Sequence, residues 1–208
     1  TDQDVYNESV DSLLAIARFE VLNEENIKNI SHEINTIANR LYALYETIKI
    51  LPEDEHTFLL NDFLNSEIQN ILPTLLKLGV MDKPDTPIET YIQTIKSRDS
   101  SKLPFLLEFF ENIFSKDQRD IINPLIEPIS LDERSDIGHD HFDKMPDNLD
   151  NELIEFIYDI DKWKSAISLD YLIKSEKFDM IKSLDWEKIS PSNANQELLA
   201  RQLEKNGQ

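Results

Sequence analysis

EENIKNISHEINTIANRLYALYETIKIL, residues 24–51, is the most regular stretch of this sequence. That pattern predicts a long helix with an unbroken apolar seam, because its apolar residues follow one another at alternating steps of three and four. We expect Asn23 to cap the start of the helix, and Pro52 to end it because proline has no N–H to donate. The seam consists of Ile27, Ile30, Ile34, Ile37, Leu41, Leu44, Ile48 and Leu51.

The residues beside the seam indicate what this helix packs against. Ser31, Ala38 and Tyr45 lie where a two-stranded coiled coil would normally carry charges that select its partner. Small and aromatic side chains at these positions widen the apolar stripe, as in a helix inside a globular bundle. We therefore expect an intramolecular bundle, with a dimerisation zipper as the alternative.

The rest of the chain is also predicted to be helical. Only 3 of the 208 residues are glycine, and the apolar runs show no strand-like alternation. The predicted fold is all-α, an irregular multi-helix bundle without β-sheet, and a helical-repeat arrangement in the C-terminal half is the alternative. Further helices are predicted over 4–22, 53–78 with a kink or break at Pro73, 88–98, 103–114, a short segment around 121–122, 149–167, 170–175, 178–184 and 196–205.

Local signals add detail to three of these helices. Residues 86–89, Thr-Pro-Ile-Glu, read as a capping box, and Asp117 reads as the cap of the short helix that follows it. The first helix is expected to place one apolar face in the core: Val10, Leu13, Leu14, Ala17 and Val21, widened by Ile16 and Phe19.

Residues 130–148 interrupt the helical pattern. They show no period and contain many turn-forming residues, so they are predicted to form an acidic loop or linker. This divides the chain into an N-terminal helical bundle over 1–129, the loop, and C-terminal helices over 149–208. We expect the C-terminal helices to pack on the bundle and to end in a frayed segment.

The composition limits the chemistry and the location of the protein. It contains no cysteine, which excludes disulfides, thiolate catalysis and cysteine-ligated metal sites. No apolar stretch approaches the roughly 18 residues that span a bilayer, and the acidic N-terminus does not resemble a secretory signal. We expect a cytoplasmic or nuclear protein. The net charge of −20 should repel phosphate backbones and anionic lipids, so direct binding to nucleic acid or to a membrane is not expected.

His139 and His141 are the best candidates for metal chemistry, because Asp140 and Asp143 beside them add oxygen ligands to the two imidazoles. So short a pattern in an acidic segment is more commonly a solvated loop, and we predict no metal site. The chain has no glycine-rich phosphate loop and no nucleophile motif. We therefore expect no catalytic residue, no cofactor and no enzymatic activity. Trp163 and Trp186 are expected to lie in the core.

The charge is concentrated in one part of the chain, which we interpret as a solvated loop and the polar face of the following helix, with an electrostatic docking surface for a basic segment as the alternative. Residues 117–161 contain 14 acidic and 3 basic residues, a net charge of −11. We predict a non-enzymatic helical subunit or adaptor of an intracellular protein complex, and the alternative is an acidic escort for a basic client such as a ribosomal or histone-like protein. We expect a partner segment rich in Lys and Arg if residues 117–161 are a docking surface, and apolar contacts through 103–114 or 24–51 if the protein is a permanent complex subunit. The candidate contact residues are Leu44, Phe109, Phe110, Asp132, Glu133, Asp136, Asp140 and Asp143.

Overall fold

The computed structural model describes residues 3–97 and 101–189, and the predicted final helix over 196–205 lies outside these ranges. The described chain is all-helical, with ten helices and no strand, so the predicted all-α multi-helix bundle is confirmed. The helices are α1 Gln3–Ala17, α2 Glu24–Ile50, α3 Phe58–Gly79, α4 Ile88–Lys96, α5 Leu103–Ile113, α6 Lys116–Ile126, α7 Leu131–His141, α8 Leu149–Ile157, α9 Lys162–Lys174 and α10 Phe178–Ser183.

The chain divides into two compact units. Unit 1 takes the chain up to Glu46 and the segment Glu67–Met145, and unit 2 takes Thr47–Ser66 and the chain from Pro146 onwards. This division differs from the predicted bundle, loop and C-terminal helices, because the end of α2 and the start of α3 belong with α8, α9 and α10.

The helix α2 follows its sequence pattern closely. Asn23 Oδ1 accepts a hydrogen bond from Asn26 N at 2.8 Å, and Asn26 Oδ1 accepts one from Asn23 N at 3.3 Å, so the predicted cap is present in reciprocal form. The helix ends at Ile50, two residues before Pro52. The centre of the seam is buried, whereas Ile27 at its start is 47% exposed.

The first helix is shorter than predicted and is rotated relative to the expected core face. It ends at Ala17 and buries Val10, Leu14 and Ala17. The other four residues of the predicted core face, Leu13, Ile16, Phe19 and Val21, are exposed, so their assignment to the core was wrong. In unit 1 the helix is fixed by Thr74 Oγ1, which donates to Asn7 Oδ1 at 2.5 Å, and by polar contacts of Tyr6 with Glu33 and of Lys77 with Asp11.

The third helix begins later than predicted and does not break. Asp54 Oδ1 accepts hydrogen bonds from the backbone N–H of His56 and Thr57, at 2.8 and 3.0 Å, and this turn delays the helix to Phe58. Pro73 lies inside α3, which continues to Gly79. Proline removes one backbone donor, and the buried leucines that follow hold the helix in place.

Two predicted caps do not form, and one of them is replaced by another. Ser115 rather than Asp117 caps α6, because Ser115 Oγ accepts from Gln118 N while Gln118 Oε1 accepts from Ser115 N. No capping box forms at the start of α4. The Glu89 carboxylate that should have closed it pairs instead with Lys77 Nζ at 2.9 Å.

The prediction of a loop over 130–148 was wrong for its first part, because residues 131–141 form α7. Ser130 and Glu133 form a capping box: Ser130 Oγ accepts from Glu133 N at 3.1 Å, and Glu133 Oε2 accepts from Ser130 N at 2.9 Å. These backbone and side-chain hydrogen bonds from Ser130 lower the pKa of the Glu133 carboxyl below its usual value. Only the residues after His141 lack helical structure before α8 begins.

Unit 2 is organised around α9, which packs against α8 and α10. Seven of its 13 residues are buried, on several sides of the helix. The predicted helix over 149–167 divides at the turn before Asp161, whose carboxylate caps α9 by accepting from Trp163 N and Lys164 N. Lys164 pairs with Asp159 at 3.0 Å, and its ammonium lies 4.9 Å from the centre of the Phe156 ring. In the described part of the chain, no helix is both long and apolar enough to cross a membrane.

Candidate interaction surfaces

Arg134 positions α7, the helix that carries most of the predicted acidic contacts. Its guanidinium is buried and donates two hydrogen bonds, from Nε to Pro124 O at 3.0 Å and from Nη2 to Glu127 O at 2.8 Å. The guanidinium carbon also lies 4.3 Å from the centre of the Tyr45 ring. Burial raises the pKa of the Tyr45 hydroxyl, and the charge of Arg134 opposes that shift.

Gly138 allows α7 to approach α2 closely. A Cβ at this position would lie 2.9 Å from Met145 Cε and 3.1 Å from Tyr42 Cδ1. Tyr42 is fully buried and its hydroxyl donates to Ile121 O at 3.0 Å, so the ring has little freedom to move away. The inner side of α7 is therefore defined by a glycine and a buried arginine, and its acidic residues remain on the outside.

The outer side of α7 presents a row of carboxylates. Asp132, Asp136 and Asp140 are exposed and are spaced by four residues, which places them on one face of the helix about one turn apart. Glu133 is also exposed, and its carboxylate is used in the capping box. Asp143 is exposed just beyond the end of the helix. The structure thus brings three of the five predicted acidic residues into one stripe.

His139 and His141 lie on different sides of α7, because residues two apart on a helix point about 200° from one another. His139 Nε2 lies 4.0 Å from the buried Glu46 carboxylate, whereas the ring of His141 lies beside Phe142. Among residues 3–97 and 101–189, no group of three or more His, Cys, Asp or Glu side chains could hold a metal ion.

Two of the three apolar candidate residues are not on the surface. Leu44 is 4% exposed and Phe110 is 0% exposed, so neither can contact a partner without opening the core, which corrects the prediction for these positions. Phe110 packs face to face with Phe114. Phe109 is partly exposed, and its ring stacks on that of Tyr91 with the centroids 4.0 Å apart.

The prediction that the two tryptophans lie in the core was also wrong. Trp163 is 71% exposed, and Trp186 is 36% exposed rather than buried in the core. Trp163 lies in the first turn of α9, one residue after Lys162, on a side of the helix that faces solvent. Burial was expected from residue type alone, and residue type does not determine which side of a helix a tryptophan occupies.

Sequence reasoning missed an apolar face on the outer side of α1. Val5, Ser9, Ser12 and Ile16 follow one another at steps of four, three and four, so they share one face, and all four are exposed. The hydroxyls of both serines donate to the helix's own carbonyls, Ser9 to Val5 O at 2.7 Å and Ser12 to Glu8 O at 2.9 Å. The face therefore contains no charge and no free hydroxyl donor. The signal in the sequence was this second row of uncharged residues, which lies on a different side of α1 from the buried Val10, Leu14 and Ala17.

Further apolar side chains are exposed just after the end of α1. Phe19 is 89% exposed and Val21 is 100% exposed, and Leu13 borders the face within the helix. We call Val5, Leu13, Ile16, Phe19 and Val21 the α1 outer face. Large apolar side chains grouped on the surface of a strongly charged protein are typical of a contact site.

Comparisons with protein-family models, with curated proteins and with solved structures found no match for this chain.

Proposed function

We propose that this protein is a non-enzymatic helical subunit or adaptor of an intracellular protein complex, and that it acts in the cytoplasm or nucleus through protein–protein contacts. The observation that supports this proposal is the α1 outer face, whose Phe19 and Val21 are almost fully exposed in a chain with a net charge of −20. Nucleic acid and membranes are not proposed as partners, because the same charge repels phosphate groups.

The partner is proposed to present an apolar helix. Ser9 and Ser12 lie beside the α1 outer face, are small, and have hydroxyls that already donate to backbone carbonyls of α1. A second helix can therefore approach closely without leaving a buried donor unsatisfied. A second copy of this chain is a poor occupant, because two chains of charge −20 repel one another. A helix bordered by Lys or Arg would instead be attracted to the exposed carboxylates near this face, such as Glu8 and Glu20.

The test compares two equivalent changes on the surface. Phe19→Ser should abolish recovery of the partner with the tagged protein from its own cells, as measured by quantitative mass spectrometry. Phe105→Ser is the matched control, since Phe105 is also a largely exposed phenylalanine, at 75%, but lies on α5. Both variants should keep the melting temperature of the parent. Equal recovery of every partner with both variants would contradict a role for the α1 outer face.

A second candidate function has its own supporting observation. The stripe formed by Asp132, Asp136 and Asp140 would suit a basic segment, as expected of an acidic escort for a ribosomal or histone-like client. Such a contact is electrostatic, so its affinity should fall steeply with salt, because the Debye length shrinks from about 10 Å at 0.1 M to about 3 Å at 1 M.

Salt therefore separates the two functions once the partner is purified. Binding through the α1 outer face should weaken by less than about tenfold between low and high salt, since its apolar contacts are not screened and only the attraction to the bordering carboxylates is. The escort is favoured over the subunit if high salt lowers the affinity about a hundredfold or more. In that case the double variant Asp136→Asn, Asp140→Asn should no longer show this salt dependence.

A further inference from the structure

Two large apolar side chains are exposed around the start of α9, within unit 2. Ile160 is 77% exposed and Trp163 is 71% exposed. Ile167 lies four residues after Trp163 and therefore on the same side of α9, and it is half-buried. We call Ile160, Trp163 and Ile167 the α9 patch. Apolar side chains grouped at the surface in this way are typical of a contact site.

The polar groups beside the α9 patch are bonded within the turn that leads into α9. The Asp159 carboxylate accepts from Asp161 N at 2.9 Å and from Lys164 Nζ at 3.0 Å. The Asp161 carboxylate accepts from the backbone N–H groups of Trp163 and Lys164. A segment that covers the patch leaves these groups with their partners. Covering it therefore buries apolar surface without breaking a hydrogen bond of the turn.

The last described residues of the chain lie beside the α9 patch. Asp185 N donates to the Tyr158 hydroxyl at 2.7 Å, and Tyr158 precedes Ile160 by two residues. Leu184 and Ile189 are both buried, so the stretch that ends at Ile189 is packed in place. Residues 190–208 therefore continue the chain from a point near the α9 patch.

The sequence after Ile189 contains a segment of matching pattern. Residues 196–205 are predicted to form a helix, and on it Leu199 and Leu203 share one side, about 6 Å apart along the axis. Trp163 and Ile167 are also four residues apart and have the same spacing on α9. Two leucines at this spacing fit against two apolar side chains at the same spacing.

Reach and charge favour this segment over other occupants. Residues 190–195 can span up to about 20 Å, and a tethered segment meets its site at a high effective concentration. Residues 190–208 contain two acidic and two basic residues, Glu197, Glu204, Arg201 and Lys205, and so carry no net charge. A second copy of the chain brings a charge of −20 and is repelled.

We propose that residues 196–205 fold back onto unit 2 as a helix and cover the α9 patch, with Leu199 and Leu203 against its apolar side chains. The patch is then an intramolecular docking site, and its occupant is a segment of the same chain. This inference is independent of the proposed function, because it uses neither the α1 outer face nor a partner protein.

Tryptophan fluorescence of the full chain tests the proposal. Trp186→Phe leaves Trp163 as the only tryptophan, so emission and acrylamide quenching then report on the α9 patch alone. In this background, Leu199→Ser together with Leu203→Ser should shift the emission of Trp163 to longer wavelength. The quenching constant should rise at least about twofold, because the docked helix removes much of the indole from solvent.

The matched control changes another side of the same predicted helix. Leu198→Ser together with Gln202→Ser has the same spacing of four residues and should leave the fluorescence of Trp163 unchanged. Equal quenching in the parent and in both double variants would overturn the proposal and leave the patch to an outside partner. Protection of Trp163 that is lost on dilution would overturn it in favour of a second copy.

Cross-linking gives a second readout, because the chain has no cysteine of its own. Ile160→Cys together with Leu199→Cys should form a disulfide within one chain under mild oxidation. Phe58→Cys together with Leu199→Cys is the control, because Phe58 is equally exposed, at 77%, but begins α3. The first pair should react at least about tenfold faster, since a disulfide needs its two Cα atoms within about 7 Å. Equal rates, or disulfides mainly between two chains, would refute the proposal.

Discussion

Arg134 shows how much one buried side chain contributes to this fold. Arg134→Lys keeps the charge but removes the planar fork, so the carbonyls of Pro124 and Glu127 cannot both be bonded. We expect the free energy of unfolding to fall by about 2–3 kcal/mol in urea titrations. Arg119→Lys is the control, because Arg119 bonds a single carbonyl, Glu111 O, at the surface, and should cost less than about 1 kcal/mol. Similar losses in both variants would contradict this role.

Glu176 lies just after the end of α9 and has a φ of 54°, a conformation that glycine adopts more readily, so a stabilising change is expected at this residue. Glu176→Gly relieves the positive φ and should raise the free energy of unfolding by about 0.5–1 kcal/mol. Glu176→Ala keeps a Cβ and should gain little, so thermal melts of the two variants isolate the backbone effect. An equal gain in both would mean that the carboxylate, rather than the strain, destabilises the parent.

At the scale of single helices, α2 and α7 show what a sequence pattern can and cannot reveal. The seam of α2 is apolar at helical spacing, so its existence, cap and end were predictable. The inner side of α7 consists of Arg134, Ser135 and Gly138, and no apolar period marks such a helix. The one signal for this helix in the sequence is the capping box of Ser130 and Glu133. We gave more weight to the turn-forming residues around it and therefore predicted a loop.

The predictions for the first helix and for the apolar contact residues were wrong for a different reason. Both sides of α1 carry apolar residues, and the sequence does not state which side is buried, so Leu13 was assigned to the core and proved exposed. Leu44 and Phe110 were expected on an interaction surface and are core residues. The acidic stripe of α7 was predictable as a charged segment, but its alignment required the helix.

The seam of α2 yields a prediction at this scale. Leu41 is 0% exposed, so Leu41→Asp should place an unpaired charge in the core and lower the free energy of unfolding by at least about 3 kcal/mol. The same substitution at Ile27, the exposed start of the seam, should cost less than about 1 kcal/mol. Thermal and urea unfolding of both variants provides the measurement. A Leu41→Asp protein as stable as the parent would mean that α2 is not central to the core.

For the whole molecule, the excess of negative charge should appear in the pH dependence of stability. Burial raises the pKa of the Glu152 carboxyl above its usual value of 4.5, and the nearby charges of Glu155 and Asp147 raise it further. A raised pKa means that the folded state holds this proton more tightly than the unfolded state. The favourable contribution is therefore present below the unfolded pKa and is lost as the pH rises through the folded pKa.

Glu152→Gln should consequently stabilise the protein at about pH 7, and the gain should disappear at about pH 4, where the parent carboxyl is protonated in both states. Urea unfolding at the two pH values checks this expectation. Glu53→Gln, at an exposed position, makes the same change in net charge and is the control. If both variants gained equally at about pH 7, general repulsion rather than the surroundings of Glu152 would be responsible.

The hydrogen bonds of Arg134 should also make two helix ends open together. The last carbonyls of a helix have no partner within it, and at the end of α6 two such groups are closed by a side chain of α7. Neither end can loosen while that guanidinium stays in place, so the end of α6 and the start of α7 should open in a single step. Amide exchange at Glu127, whose N–H bonds Asn123 O, and at Arg134, whose N–H bonds Ser130 O, should then proceed at matching free energies of opening. The buried arginine of α7 is therefore expected to determine the free energy at which the end of α6 opens.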